Sequence, residues 1–156
     1  MPTLTFHKAI NAGPEVVFQI LTNMEKYPEV VSGITNIDVL TDGPVGLGTK
    51  FKETRVVFGR EANEVMEFTE FEPPNRYVLE ANSHGSHYRT VHEIKPNATG
   101  GTDLTLEFIA TPVNIIAKVM SVVMMPLFKK AMVRCLEQDL EDVKNHAEGK
   151  NVLDPA

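Results

Sequence analysis

Between residues 35 and 111 the chain offers six strand-like runs with little but turns to join them. The runs span 35–42, 49–58, 61–71, 76–83, 86–95 and 103–111, and their connectors read "GPVGLG", "GR", "EPPN", "HG" and "PNATGGT". Connections this short cannot cross over a sheet, so consecutive strands pair antiparallel in one meander. Six hairpin-linked strands curl, and something must fill the concave side. The one long helical pattern, at 113–147, is the available filler. Ahead of the meander, "TLTFHKAI" (3–10) alternates as a further strand. In "NAGPEVVFQILTN" (11–23), Pro14 fits a first helical position, with Val17, Ile20 and Leu21 at helical spacing. "EKYPEVVSG" reads as a short second helix closed by Gly33, and Pro126 is expected to kink the long one. The prediction is an α+β fold: a curved antiparallel sheet around a C-terminal helix, with two short helices between the first two strands. A length of 156 residues suits one domain, placed at 1–147 with a tail at 148–156.

The short turns also predict which residues face one another. A two-residue loop at His84-Gly85 sets Ala81 opposite Tyr88, Leu79 opposite Thr90 and Tyr77 opposite His92. The other face then pairs Val78 with Val91 and Glu80 with Arg89, an ion pair that marks it as the solvent side. A loop at Gly59-Arg60 would pair Phe51 with Phe68, Glu53 with Met66 and Arg55 with Glu64. A loop at "EPPN" brings Phe68 beside Leu79 and Met66 beside Ala81.

"SHGSHYRTVHE" (83–93) holds three of the five histidines and invites a metal reading. His87 and His92 are an odd number of residues apart on one strand, so they point to opposite faces roughly 16 Å apart. His84 sits at the turn. No metal is predicted, because zinc needs three or four convergent ligands. His84 and His87 are expected in solvent, leaving His92 as the interior candidate.

The net charge of −6 carries no basic stripe, which argues against nucleic acid as a partner. The lone Cys135 excludes an internal disulfide, and no signal peptide or membrane-spanning run is apparent, so the expected location is cytoplasmic. The sequon Asn97-Ala98-Thr99 reads as part of a turn. No cofactor is implied. Residues 113–128 are apolar on nearly every side, with Met120, Met124 and Met125, and such a helix needs cover from protein, ligand or a second subunit.

Together, "AGPEVVFQILTNMEKYPEVVSGI", "GPVGLGTKF", "FTEFEPPNRYVLEA" and "GGTDLTLEF" resemble the signature stretches of the SRPBCC superfamily (START/Bet v 1-like, polyketide cyclase/dehydrase type). The resemblance runs from residue 3 to about 147 and implies the helix-grip fold, with ligands held between sheet and long helix. "EKYPEVV" is also loosely similar to a segment of the ubiquinone-binding branch. No Rieske cysteine–histidine motif is present.

Three functions compete. In the first, the chain binds or carries a hydrophobic small molecule or lipid in an internal cavity. Phe51, Met66, Phe68, Leu79, Ala81, Thr90 and Phe108 would line it, with Met120 and Met124 from the helix. Arg55, Glu64, Tyr88 and His92 would supply the polar contacts. In the second it is a cyclase- or dehydratase-like enzyme, with His92 as base, Tyr88 as hydrogen-bond donor and Glu53 as acid. In the third, the 113–128 helix docks on a dimer mate, another partner or a membrane surface.

Overall fold

The computed structural model describes residues 3–57 and 59–149, without the side chains of 123–125. The Met124 side chain and most of the expected tail are therefore outside what is described. In chain order the elements are β1 (Thr3–Ile10), α1 (Pro14–Thr22), α2 (Tyr27–Val30), β2 (Ile34–Val39), β3 (Lys50–Val57), β4 (Arg60–Glu72), β5 (Arg76–Ser83), β6 (Ser86–Pro96), β7 (Thr102–Pro112) and α3 (Ile115–Ala147). The strands form one seven-stranded antiparallel sheet in the order β1-β7-β6-β5-β4-β3-β2. The meander is as expected, and β1 closes it by pairing with the last strand. Helices α1 and α2 thus carry the chain from one sheet edge to the other. Helix α3 runs unbroken through Pro126, and Asn114 caps it by accepting from the Ala117 N–H at 2.7 Å.

The β5–β6 register is the predicted one, from Tyr77 opposite His92 to Ser83 opposite Ser86. Its turn places both central residues at positive φ, His84 at 50° and Gly85 at 77°, which matches the twist of a two-residue hairpin. Gly85 also touches the start of α3. A Cβ there would sit 2.8 Å from the Asn114 side-chain nitrogen.

The β3–β4 register departs from expectation by two residues. Phe51 faces Met66, Glu53 faces Glu64 and Arg55 faces Ala62. Val57 pairs with Arg60, and Gly59 just before it takes φ 74°, as Gly85 does just before Ser86. An even shift preserves the strand's alternation, so every side chain keeps its predicted face. Between β4 and β5, Phe68 meets Leu79 as expected. A bulge between Phe68 and Glu70 then turns Phe71 inward as well, its ring 5.6 Å from that of Phe68.

The core divides unevenly along the sheet. At the end near α1, the rings of Phe18, Phe51, Phe68, Phe71 and Tyr77 pack at centroid distances of 5.4–5.9 Å, several of them edge-on. Phe51, Phe68 and Tyr77 are fully buried, each contributing roughly 1.5–3 kcal/mol from burial. Leu140 and Val143 of α3 join this core, with Met132, Leu136 and Ala147 packed against it. The first half of α3 is different: Ile115, Ile116 and Val122 are 81%, 76% and 74% exposed.

On the outer face Glu80 and Arg89 are opposite one another as predicted, but they do not form the close pair. Arg89 bonds Glu70 at 2.7 Å, and Glu80 takes His87 at 2.8 Å. The bulge explains the exchange, since it brings Glu70 opposite Val78, where it bridges Arg76 and Arg89. His87 is consequently half-buried rather than free in solvent. Val78 and Val91 are buried on the same face.

Candidate functional site

The helix-side face of the sheet carries the candidate residues in two zones. In the sealed zone lie Phe51, Phe68 and His92. The His92 ring stacks on Tyr77 with centroids 4.3 Å apart and planes 12° from parallel. Its Nδ1 is buried without a hydrogen-bond partner among the described residues. Burial in apolar surroundings holds its pKa down at about 3, so the ring is neutral at physiological pH. Burial likewise pushes the Tyr77 phenol well above its ordinary value, with Tyr27 adding to the shift.

The open zone lies toward the β5–β6 turn, beneath the apolar half of α3. Met66, Leu79, Tyr88 and Thr90 are half-buried there, while Ala81 and Phe108 are buried between them. Cross-strand pairing joins Leu79 to Thr90, Thr90 to Phe108 and Ala81 to Tyr88, giving a continuous floor. Tyr88 stacks on Phe108 with centroids 5.7 Å apart. Burial raises the Tyr88 phenol pKa against a hydrogen bond from Ser86, so Tyr88 stays a neutral donor. Met120, expected to line this space from the helix, is instead 53% exposed, on the outward side of α3.

A charged cluster joins β3 to α3. The register that would set Arg55 against Glu64 does not occur, and Arg55 is held by Asp139 of α3 instead. Its Nη1 and Nη2 donate to the two Asp139 carboxylate oxygens at 3.0 and 2.6 Å, a bidentate fork. Its Nε donates to Glu53 at 2.9 Å. Burial works against the guanidinium charge, but Asp139 and Glu53 outweigh it and hold Arg55 above its ordinary value. For Asp139 burial dominates and pushes the carboxyl up to about 6, although Arg55 pulls it down. Two carboxylates share one guanidinium, so the cluster carries one excess negative charge when all are ionised. The Tyr27 phenol beside it is raised by burial first, then by Asp139 and Glu53.

One turn further along α3, Asp142 is 1% exposed and accepts from the Ser32 N–H and hydroxyl at 2.9 and 2.8 Å. It pins the end of α2 to the helix. Neither Asp139 nor Asp142 is among the residues expected from the sequence, where the charged outer face of the helix draws attention to Glu137 and Glu141. The signal is nonetheless present: 135, 139 and 142 share one helical stripe with Met132 and Leu136, so two aspartates sit where apolar residues belong.

A cleft of about 850 Å³ opens elsewhere, between β1 and the charged half of α3. Lys8, Arg134, Glu137 and Glu141 are among its walls, and it contains none of the expected lining residues. The Lys8–Glu141 ion pair at 2.8 Å belongs to it.

A family model described as "Polyketide cyclase / dehydrase and lipid transport" matches residues 1–148. No curated protein sequence matches significantly. Among solved structures, a protein from Thermus thermophilus superimposes with a TM-score of 0.78 at 18% identity, covering 95% of this chain and 98% of that one. A START superfamily protein from Mycobacterium smegmatis gives 0.74 at 16% identity, covering 94% and 97%. The di-domain ARO/CYC BexL gives 0.78 at 17% identity, covering 94% of this chain and 50% of BexL. At these identities the likeness establishes a shared fold.

Proposed function

This chain belongs to the polyketide cyclase/dehydrase and lipid transport family, and on that premise we propose that it binds a hydrophobic small molecule between the sheet and α3. One observation carries the reading. Met66, Leu79, Tyr88 and Thr90 lie on the helix-side face of the sheet yet stay partly exposed, as do Ala117 and Ser121 on the inward stripe of α3. Apolar surface left partly open on that sheet face is surface a ligand can bury, at roughly 25 cal/mol per Å² removed from water. Tyr88 and Thr90 supply hydroxyls along the floor, and the Arg55 cluster supplies a charged group on the same face of the sheet. A molecule with an apolar body and a single polar handle fits that order.

The geometry favours binding over catalysis by His92. A ring with a pKa near 3, stacked on Tyr77 in the sealed zone, is a weak base and is screened from the open floor. Glu53 is engaged by Arg55, which leaves Tyr88 as the one catalytic candidate in the open zone.

Titration with an apolar fluorescent dye tests the proposal. The wild type should bind saturably, and Ala81→Phe, which fills the floor opposite Tyr88, should abolish binding while the thermal midpoint stays within a few degrees. Native mass spectrometry of protein purified from its own source should reveal a retained apolar molecule. A wild type that neither binds the dye nor retains a ligand refutes the reading.

A further inference from the structure

The exposed face of α3 has its own chemistry. Ile115, Ile116, Val119, Met120 and Val122 all stand more than half in solvent at the start of the helix. The inward stripe is separate and runs through Ala117 and Ser121 to Met132 and Cys135, all partly buried. The outward apolar residues are therefore not a core face left slightly open. They form a second face that no part of the described chain covers.

Charge distinguishes the kinds of cover. From Phe108 to Leu136 the sequence holds Lys118, Lys129, Lys130 and Arg134 and no Asp or Glu. The rest of the chain carries 21 acidic and 11 basic residues. All four cations are exposed, and none forms an ion pair among the described residues. A second copy laid symmetrically on this face would set like charges against like. An anionic surface would meet both features, with the apolar side chains entering the acyl boundary and the cations lying among the headgroups. Among the described residues no helix is long and apolar enough to cross a membrane, so contact at this face would be peripheral.

We propose that the 115–130 segment of α3 is a docking face for anionic lipid bilayers. The docking stands whether or not the groove binds a ligand. If both hold, the groove's open side lies beside the face that touches the membrane, and an apolar molecule could pass between them with little exposure to water.

Sedimentation with vesicles tests it directly. Full-length protein is expected to pellet with phosphatidylcholine vesicles containing 30% phosphatidylglycerol in low salt, and to stay in solution with pure phosphatidylcholine. Binding should fall steeply at 0.5 M salt. Replacing Lys118, Lys129 and Lys130 by Gln should weaken partition about five-fold each, or about a hundred-fold together. Ile115→Asp with Val119→Asp should abolish it. Both variants alter solvent-facing positions, so their thermal midpoints should match the wild type and keep the test readable. Equal binding to neutral vesicles, or none to anionic ones, overturns the proposal. So does a wild-type dimer that the Ile115→Asp/Val119→Asp variant converts to a monomer without any vesicle binding.

Discussion

Replacing His92 by Phe should change how stability depends on pH more than stability itself. The ring is 6% exposed, stacked on Tyr77, and its Nδ1 lacks a partner among the described residues, so Phe keeps the aromatic contact and removes only the titration. In the folded protein its pKa is about 3, against 6.5 when free. Between those values the unfolded chain takes up a proton that the folded chain refuses. The neutral histidine's contribution is thus fully present above pH 6.5 and drains away as the pH falls toward 3. At pH 4.5 the loss is two pH units of linkage, about 2.7 kcal/mol. Urea unfolding of both proteins at pH 7.5, 6.5, 5.5 and 4.5 measures it. Carboxylates such as Asp139 titrate in both proteins and cancel in the difference. Relative to wild type, His92→Phe should gain about 2–3 kcal/mol between pH 7.5 and 4.5. Parallel profiles would mean that His92 accepts a proton in the folded state. The ring would then not be sealed from water, and His92 would return as a candidate base.

Two further predictions concern how α3 is held. Arg55→Met leaves Glu53 and Asp139 buried together without their cation, and should cost about 3–5 kcal/mol at pH 7.5. Burial already raises the Asp139 pKa, and a protonated carboxyl carries no charge to repel, so that cost should shrink on acidification to pH 4.5; a cost that grows instead would refute the cluster's electrostatics. Gly85→Ala and Gly59→Ala place a Cβ at nearly the same positive φ, 77° and 74°, but only at Gly85 does it meet α3. Thermal unfolding should show both variants losing about 1–2 kcal/mol for the backbone, with a further loss confined to Gly85→Ala.

Much of the sheet is legible in the sequence because hairpin chemistry is local. His84-Gly85 prescribes a two-residue turn, and alternation then assigns faces for the whole of β5 and β6. The same alternation makes the assignment robust, since a loop placed one residue late at Gly59 moves pairs by two residues and leaves Phe51, Glu53 and Arg55 on the predicted face. What alternation cannot decide is which residues across the fold meet that face. Arg55 takes a partner 84 residues away on α3, and no spacing rule connects the two. The bulge that turns Phe71 inward and moves Glu70 opposite Val78 is likewise invisible, because "EFTEFE" alternates acceptably with or without it. Periodicity reports which side of an element seeks cover. Whether His92 is sealed beneath α1 while Tyr88 stays open follows from where helices of fixed length dock on a curved sheet, and only the packed tertiary structure decides that.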